Sequence, residues 1–475
     1  MKTLFLNPPS FDGFDGGAGA RYQATREIRS FWYPTWLAQP AAMVEGSKLV
    51  DAPARGLSLE QVLPYADEYE LIVIHTSTPS FASDAKVAGA FKARNPKLKI
   101  GFVGAHVAVL PEPSLKNAPD VDFVTGAEFD YTIKEIAEGK PFGDVAGIHY
   151  RENGQIVKTA DRPIIHDMDA LPFVTDVYHR DLVPEDYFIG YLRHPYLSLY
   201  SGRGCKSRCT FCLWPQTIAG HTYRTRSPAQ VVAEIAHAKR LMPQIKEFFF
   251  DDDTFTDDAP RAREIARGLG KLGVTWSCNA KANVDYDTLK ELRDNGLRLL
   301  LVGYESGNQQ ILHNIKKGMR IEVARKFTED CHKLGIQIHG TFIVGLPGET
   351  KDTIAETVAF AKDINPHTIQ VSIAAPYPGT FLYDQAVREG WFKQDTKDMV
   401  MGGSGFQIST LSYPHLSREE IFEAVADFYK RFYFRPRKIG DIVLEMATSW
   451  DMTKRRLREG VEFFHFLNAR ESRAA

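Results

Sequence analysis

Short apolar runs alternate with amphipathic stretches along most of this chain. Tyr69-Glu70-Leu71-Ile72-Val73-Ile74-His75 stops at the turn formers Thr76-Ser77-Thr78-Pro79, and an alanine-rich helix is predicted from about Asp84 to Arg94. Lys99-Ile100-Gly101-Phe102-Val103-Gly104 and Val121-Asp122-Phe123-Val124 read as the next strands, before a helix around Tyr131 to Glu138. Strands that are apolar throughout are buried on both faces, so residues 1–150 are expected to form a doubly wound, Rossmann-like α/β domain with a parallel sheet. Ligands of such sheets settle at the carboxyl ends of the strands. Those ends carry Thr76 and Ser77, then Gly104 and His106, then Gly126 and Glu128.

Residues 151–195 read as a connector broken by Pro163, Pro172, Pro184 and Pro195. A second alternation then fills 196–395, with strands expected at Leu197–Tyr200, Glu247–Phe250, Trp276–Asn279, Leu299–Gly303, Gln337–Val344 and Thr368–Ile373. Six parallel strands with intervening helices predict a partial barrel whose reactive groups sit at the carboxyl-terminal rim. Residues 396–475 read as a helical region in which basic and aromatic residues interleave, as in Lys430-Arg431-Phe432-Tyr433-Phe434-Arg435.

Composition narrows the function classes. A net charge of −2 over 475 residues is not the profile of a nucleic-acid-binding protein. The first residues run straight into a short strand, Thr3-Leu4-Phe5-Leu6-Asn7, without the form of a signal peptide, and no apolar run approaches the ~20 residues of a membrane span. A cytoplasmic enzyme is the expectation. Five cysteines in so long a chain are no disulfide framework.

Three of the five stand together in Gly202-Arg203-Gly204-Cys205-Lys206-Ser207-Arg208-Cys209-Thr210-Phe211-Cys212, directly after the first barrel strand. Three thiolates at this spacing can hold one corner of an iron–sulfur cubane, each on a different iron, leaving one iron open as catalytic sites require. A zinc site remains the alternative, with His221 the nearby candidate for a fourth ligand. Later strand ends carry further polar groups. These are Asp251-Asp252-Asp253, whose like charges need a neutralising partner, Glu305-Ser306, and Gly340-Thr341-Phe342-Ile343-Val344-Gly345-Leu346-Pro347-Gly348-Glu349.

With these motifs in this order, residues 196–395 resemble the radical S-adenosylmethionine (SAM) superfamily. The resemblance implies a 4Fe-4S cluster on Cys205, Cys209 and Cys212 and SAM bound to the open iron. It also implies that Asp251, Asp252, Asp253, Glu305 and Ser306 hold the polar groups of SAM, with Phe211, Ile343 and Gly345 against adenine. The first 150 residues resemble the cobalamin-binding domain of one large subfamily, which implies cobalamin against Thr76, Ser77, Gly104, His106, Gly126 and Glu128. Those 150 residues lack the Asp-x-His-x-x-Gly signature of a lower axial histidine.

The opening Asn7-Pro8-Pro9-Ser10-Phe11-Asp12 and the segment Arg21-Tyr22-Gln23 through Trp36-Leu37 resemble radical SAM proteins of hopanoid side-chain assembly. That resemblance implies ring contraction of glucosaminyl bacteriohopanetetrol to its cyclitol ether, an amphiphilic lipid substrate, a flavodoxin or ferredoxin as reductant, and peripheral contact with the inner face of a membrane. A cobalamin-dependent methyltransferase is the alternative within enzymes, and a non-catalytic metal-binding scaffold the alternative outside them.

Overall fold

In the computed structural model, which describes residues 1–9, 30–392, 407–447 and 450–474, the expected strands assemble into two main sheets. Residues 10–29, on which much of the hopanoid resemblance falls, lie outside the described residues. The amino-terminal sheet comprises β1 (Thr3–Asn7), β2 (Lys48–Asp51), β3 (Leu71–His75), β4 (Lys99–Val103), β5 (Phe123–Thr125), β6 (Ile148–Glu152) and β7 (Gln155–Lys158). Its order is β2-β1-β3-β4-β5-β6-β7, parallel through β5. The chain leaves β1 for one edge and returns on its other side, so the switch point lies between β1 and β3, where a doubly wound sheet opens a crevice.

The last two strands differ from the expectation of a connector beginning at 151. β6 and β7 form an antiparallel hairpin that extends the sheet to Lys158. Its turn is Asn153-Gly154, both at positive φ (49° and 80°), the pairing that a two-residue hairpin turn demands.

The second sheet contains β8 (Tyr196–Leu199), β11 (Glu247–Phe250), β12 (Trp276–Ala280), β13 (Leu297–Glu305), β14 (Gln337–Val344) and β15 (Thr368–Ile373). Between its first two strands the chain makes a small antiparallel ribbon, β9 (Gly202–Arg203) with β10 (Arg224–Thr225). All neighbours in the large sheet are parallel and in chain order from β8 to β15, with helices in the crossovers. That is the winding of a barrel left open after six strands.

An open barrel has edges, and exposed edges invite aberrant pairing. The helix Arg418–Tyr433 covers the β15 edge. Tyr433 and Tyr429 hydroxyls accept from the backbone N–H groups of Ile369 (3.0 Å) and Val371 (2.9 Å), while the Gln407 amide bonds both N–H and C=O of Ile373. Side chains thus satisfy alternate residues of the edge as a further strand would. The basic residues of this region are largely spent in place. Lys438 is buried on the Pro366 carbonyl, Arg435 binds Asn365, and Arg456 pairs with Glu445 and Glu459.

One continuous apolar core joins both sheets. Tyr33 stacks on Tyr187 at 4.0 Å and its hydroxyl donates to the Tyr196 carbonyl, so the residues before the first helix fasten directly to β8. Among the described residues no helix is long and apolar enough to cross a membrane.

Candidate active site

The cysteine segment leaves β8 and is shaped by the β9–β10 ribbon. Gly204 has φ +89°, and a Cβ there would stand 2.3 Å from the Thr222 carbonyl oxygen, so only glycine lets the two strands close under the loop. The Gln216 side-chain amide then gathers the loop from inside, donating to the carbonyls of Cys212 (2.7 Å), Cys209 (3.2 Å) and Thr210 (3.3 Å). His221 Nδ1 faces the carbonyls of Ser207 (3.0 Å) and Cys205 (3.3 Å) and must therefore donate to them.

The loop so held turns Cys205, Cys209 and Cys212 onto the wall of a cavity of about 370 Å³ at the carboxyl ends of the barrel strands. Burial pushes the Cys209 and Cys212 thiols above their ordinary range, so their thiolates need a strong cation to form. Among the described residues no three His, Cys, Asp or Glu converge on a single metal ion. Three thiols on one wall, over a cradle that glycine alone permits, are a donor set that fits a cluster of several irons with one corner open.

Opposite the thiols, the three aspartates after β11 separate. Burial, then the neighbouring carboxylates, lifts Asp251 to about 8. Burial and Asp252 bring Asp253 to about 6. Asp251 accepts from Asn279 (3.2 Å), and both acids line the cavity. Asp252 does not line it. Its carboxylate is filled by Ser201 N and Oγ (both 2.6 Å) and by the Tyr223 hydroxyl (2.7 Å), which makes it the clasp between β11 and the cysteine loop.

Glu305, also on the cavity wall, follows a bulge in β13 and sits at φ +61°, unfavourable for a side chain of its size. Lys317 Nζ holds its carboxylate at 2.7 Å. A Cβ at Gly303 would stand 2.4 Å from the Glu305 carboxylate, so the pair needs that glycine beneath it. Burial pulls the Lys317 ammonium down, but Glu305 and the nearby thiols outweigh it and hold it above its ordinary range. Lys281 is committed to Asp257 at 2.7 Å.

Ser306 is fully buried and bonded to Thr357 and the Asn308 N–H, away from the cavity. Gly345 (φ +83°) is likewise enclosed, with Ile421 against its open side and the Tyr413 hydroxyl on its carbonyl. Its N–H and that of Leu346 donate to Glu349 at 2.6 and 3.0 Å, and burial raises that carboxyl to about 8.

A second cavity of about 300 Å³ lies between the two sheets. Thr76 and Ser77 come to it from the carboxyl end of β3, Ile343 from β14, and Phe211 with Trp214 from the cysteine segment. The Thr76 hydroxyl is buried without a hydrogen-bond partner, a donor–acceptor aimed where a ligand at the switch point would lie. Gly104 supports the site from behind, since a Cβ there would stand 2.3 Å from the Thr76 carbonyl. The rest of the amino-terminal set points elsewhere. His106 bonds Thr78 at 3.1 Å and packs on Phe81, and the Gly126 N–H donates to Gly147. Glu128 is sealed between domains, bound by Arg224 (2.7 and 2.8 Å) and by the Ile165 N–H. Arg203, on β9, makes a bidentate pair with Asp130 and lies 4.7 Å from the Trp36 ring, which itself stacks on Trp214.

No local pattern marks Gln216 or this arginine–carboxylate lock. Lys317 lies in the run Lys316-Lys317-Gly318 twelve positions past Glu305, a separation that only the fold closes.

Comparison with known proteins agrees with the geometry. The chain is 28% identical over 455 residues to an uncharacterized methyltransferase of Pyrococcus horikoshii, covering 92% of this chain and 93% of the relative. It is 26% identical over 462 residues to the anaerobic magnesium-protoporphyrin IX monomethyl ester cyclase of Rubrivivax gelatinosus, covering 91% and 77%. TsrM of Kitasatospora setae, a radical S-adenosylmethionine methyltransferase solved with cobalamin and a 4Fe-4S cluster, shares the fold with a TM-score of 0.63 at 15% identity, over 82% of this chain and 78% of that one. Residues 199–361 match the Radical SAM superfamily. The matched stretch includes Cys205, Cys209 and Cys212, so the half-barrel that carries them is similar to a radical SAM domain.

Proposed function

We propose that this protein is a cobalamin-dependent radical SAM enzyme that transfers a methyl group to an unactivated carbon. The observation that carries this reading is that Phe211 and Trp214 border both the cysteine-lined cavity and the cavity at the amino-terminal switch point. A substrate carbon at that junction is accessible from the cluster side and from the side where a corrin would rest. When bound, the cluster with SAM supplies a carbon-centred radical that removes hydrogen, and the corrinoid supplies the methyl group.

The chain's own residues bind and orient. Cys205, Cys209 and Cys212 hold the cluster. Lys317 is placed for the SAM carboxylate, and Asp251 with Asp253 for its ammonium, so the cavity complements a zwitterion. Phe211 gives the adenine an apolar face. Thr76 and Ser77 offer hydroxyls to the corrin edge. The stack of Trp36 on Trp214, 5.2 Å between centroids, keeps bulk water from the junction.

A second reading, ring contraction of glucosaminyl bacteriohopanetetrol, draws support from the likeness to a cyclase. Anaerobic turnover with methyl-labelled SAM, reductant (flavodoxin or ferredoxin is proposed) and glucosaminyl bacteriohopanetetrol separates the readings. Deoxyadenosine with S-adenosylhomocysteine and a labelled product supports methyl transfer. Deoxyadenosine with an unlabelled, rearranged product moves the assignment to ring contraction. No SAM cleavage at all would sink both.

A further inference from the structure

A third cavity, of about 370 Å³, lies between the first halves of β14 and β15 and the carboxyl-terminal helices. Its wall is mostly aromatic and aliphatic, with Tyr429, Tyr433 and Phe463 forming one side. Two residues tie it to the reactive region. The Trp32 indole borders this cavity and the cysteine-lined one, and Gln370 borders this cavity and the one at the switch point. At its outer end stand Phe434, Ile439, Val443 and Phe464, which are 48%, 49%, 57% and 54% exposed.

Large apolar side chains grouped at a cavity mouth cost solvation and mark binding sites in soluble proteins. A volume above ~300 Å³ with apolar walls and a few inner polar groups is the ordinary form of a small-molecule pocket. Here Gln370 is the polar group on the side of the switch-point cavity, and His339 adds a second polar group to the wall.

We infer that this cavity receives the hydrocarbon body of the substrate, entering between Val443 and Phe464, with the polar end directed past Trp32 to the cysteine-lined cavity. The inference rests on the functional reading above for calling the occupant a substrate. The ligand class it assigns is an amphiphile with an apolar body, held by contact area without charge. The nearest charges, Arg456 and Glu459, neutralise each other at 2.6 Å.

The test is a titration of the anaerobically purified full chain with a brominated undecanoyl maltoside below its micelle concentration, read by quenching of tryptophan fluorescence. Saturable quenching is expected, lost for the most part in Trp32→Phe. Val443→Glu, a change at an exposed position that puts a charge in the apolar mouth, should weaken binding roughly tenfold or more. Leu457→Glu, equally exposed but away from the cavity, should bind like the parent. Unchanged binding in Val443→Glu, quenching retained in Trp32→Phe, or non-saturable quenching reduced equally by Leu457→Glu would overturn the inference. The titration contains no SAM or reductant, so its failure and the failure of the turnover assay are separate results.

Discussion

Two sets of buried acids face each other across the domain junction, and they are treated in opposite ways. On the amino-terminal side, Glu128 and Asp130 each meet a guanidinium, from Arg224 and Arg203, at 2.7 Å. On the barrel side, Asp251 and Asp253 crowd together with an amide, a phenol and a backbone N–H for company, and burial pushes both upward. A fully paired set is a lock. A set of acids with no ion pair of its own is open to a cation, as the ammonium of the proposed SAM ligand would be. The difference also explains why both arginines come from β9 and β10, since the ribbon that aims the cysteines is the part docked onto the other domain.

The contrast can be broken from either side. Arg224→Met removes one guanidinium and leaves Glu128 buried, so urea unfolding should show a loss of about 3–5 kcal/mol. Glu349 belongs to the unpaired class. Its carboxyl rises from 4.5 to about 8 on folding, so the folded state binds more protons over that interval. The stability it contributes is full below about pH 4.5 and falls as pH rises toward 8. Glu349→Gln should flatten the stability–pH curve relative to the parent by on the order of 4 kcal/mol across that range. Lys317→Gln should weaken SAM binding to the reconstituted protein roughly tenfold, about 1.4 kcal/mol by calorimetry. The smallest effect is expected for Asp251→Asn. With its carboxyl already largely protonated at pH 7, stability should change by less than about 0.5 kcal/mol, while SAM binding weakens.

Legibility in the sequence followed the locality of the signal. The run Phe248–Phe250 falls within β11 because burial on both faces leaves an uninterrupted apolar imprint. The three cysteines come to one cavity wall because the segment between them is short. The β6–β7 hairpin carried its own turn signal, Asn153-Gly154, which the surrounding prolines obscured. Residues whose role depends on distant partners are less legible. Asp252, Ser306, Glu128 and His106 carry the chemistry of ligand contacts, yet Ser201, Thr357, Arg224 and Thr78 satisfy them first. Position along a strand end says that a polar group is near a site, and only the fold says whether the group is still available.

The central claim is that Cys205, Cys209 and Cys212 hold a cluster in a cavity that adjoins a separate corrinoid site. The most direct measurement is iron and cobalt content with electron paramagnetic resonance, on the parent and on Cys209→Ala, after anaerobic reconstitution with iron, sulfide and cobalamin. About four irons and one cobalt per chain are expected in the parent, and in the variant loss of the reduced-cluster signal with cobalt retained. Iron and signal retained in Cys209→Ala, or no cobalt bound by either protein, would contradict it.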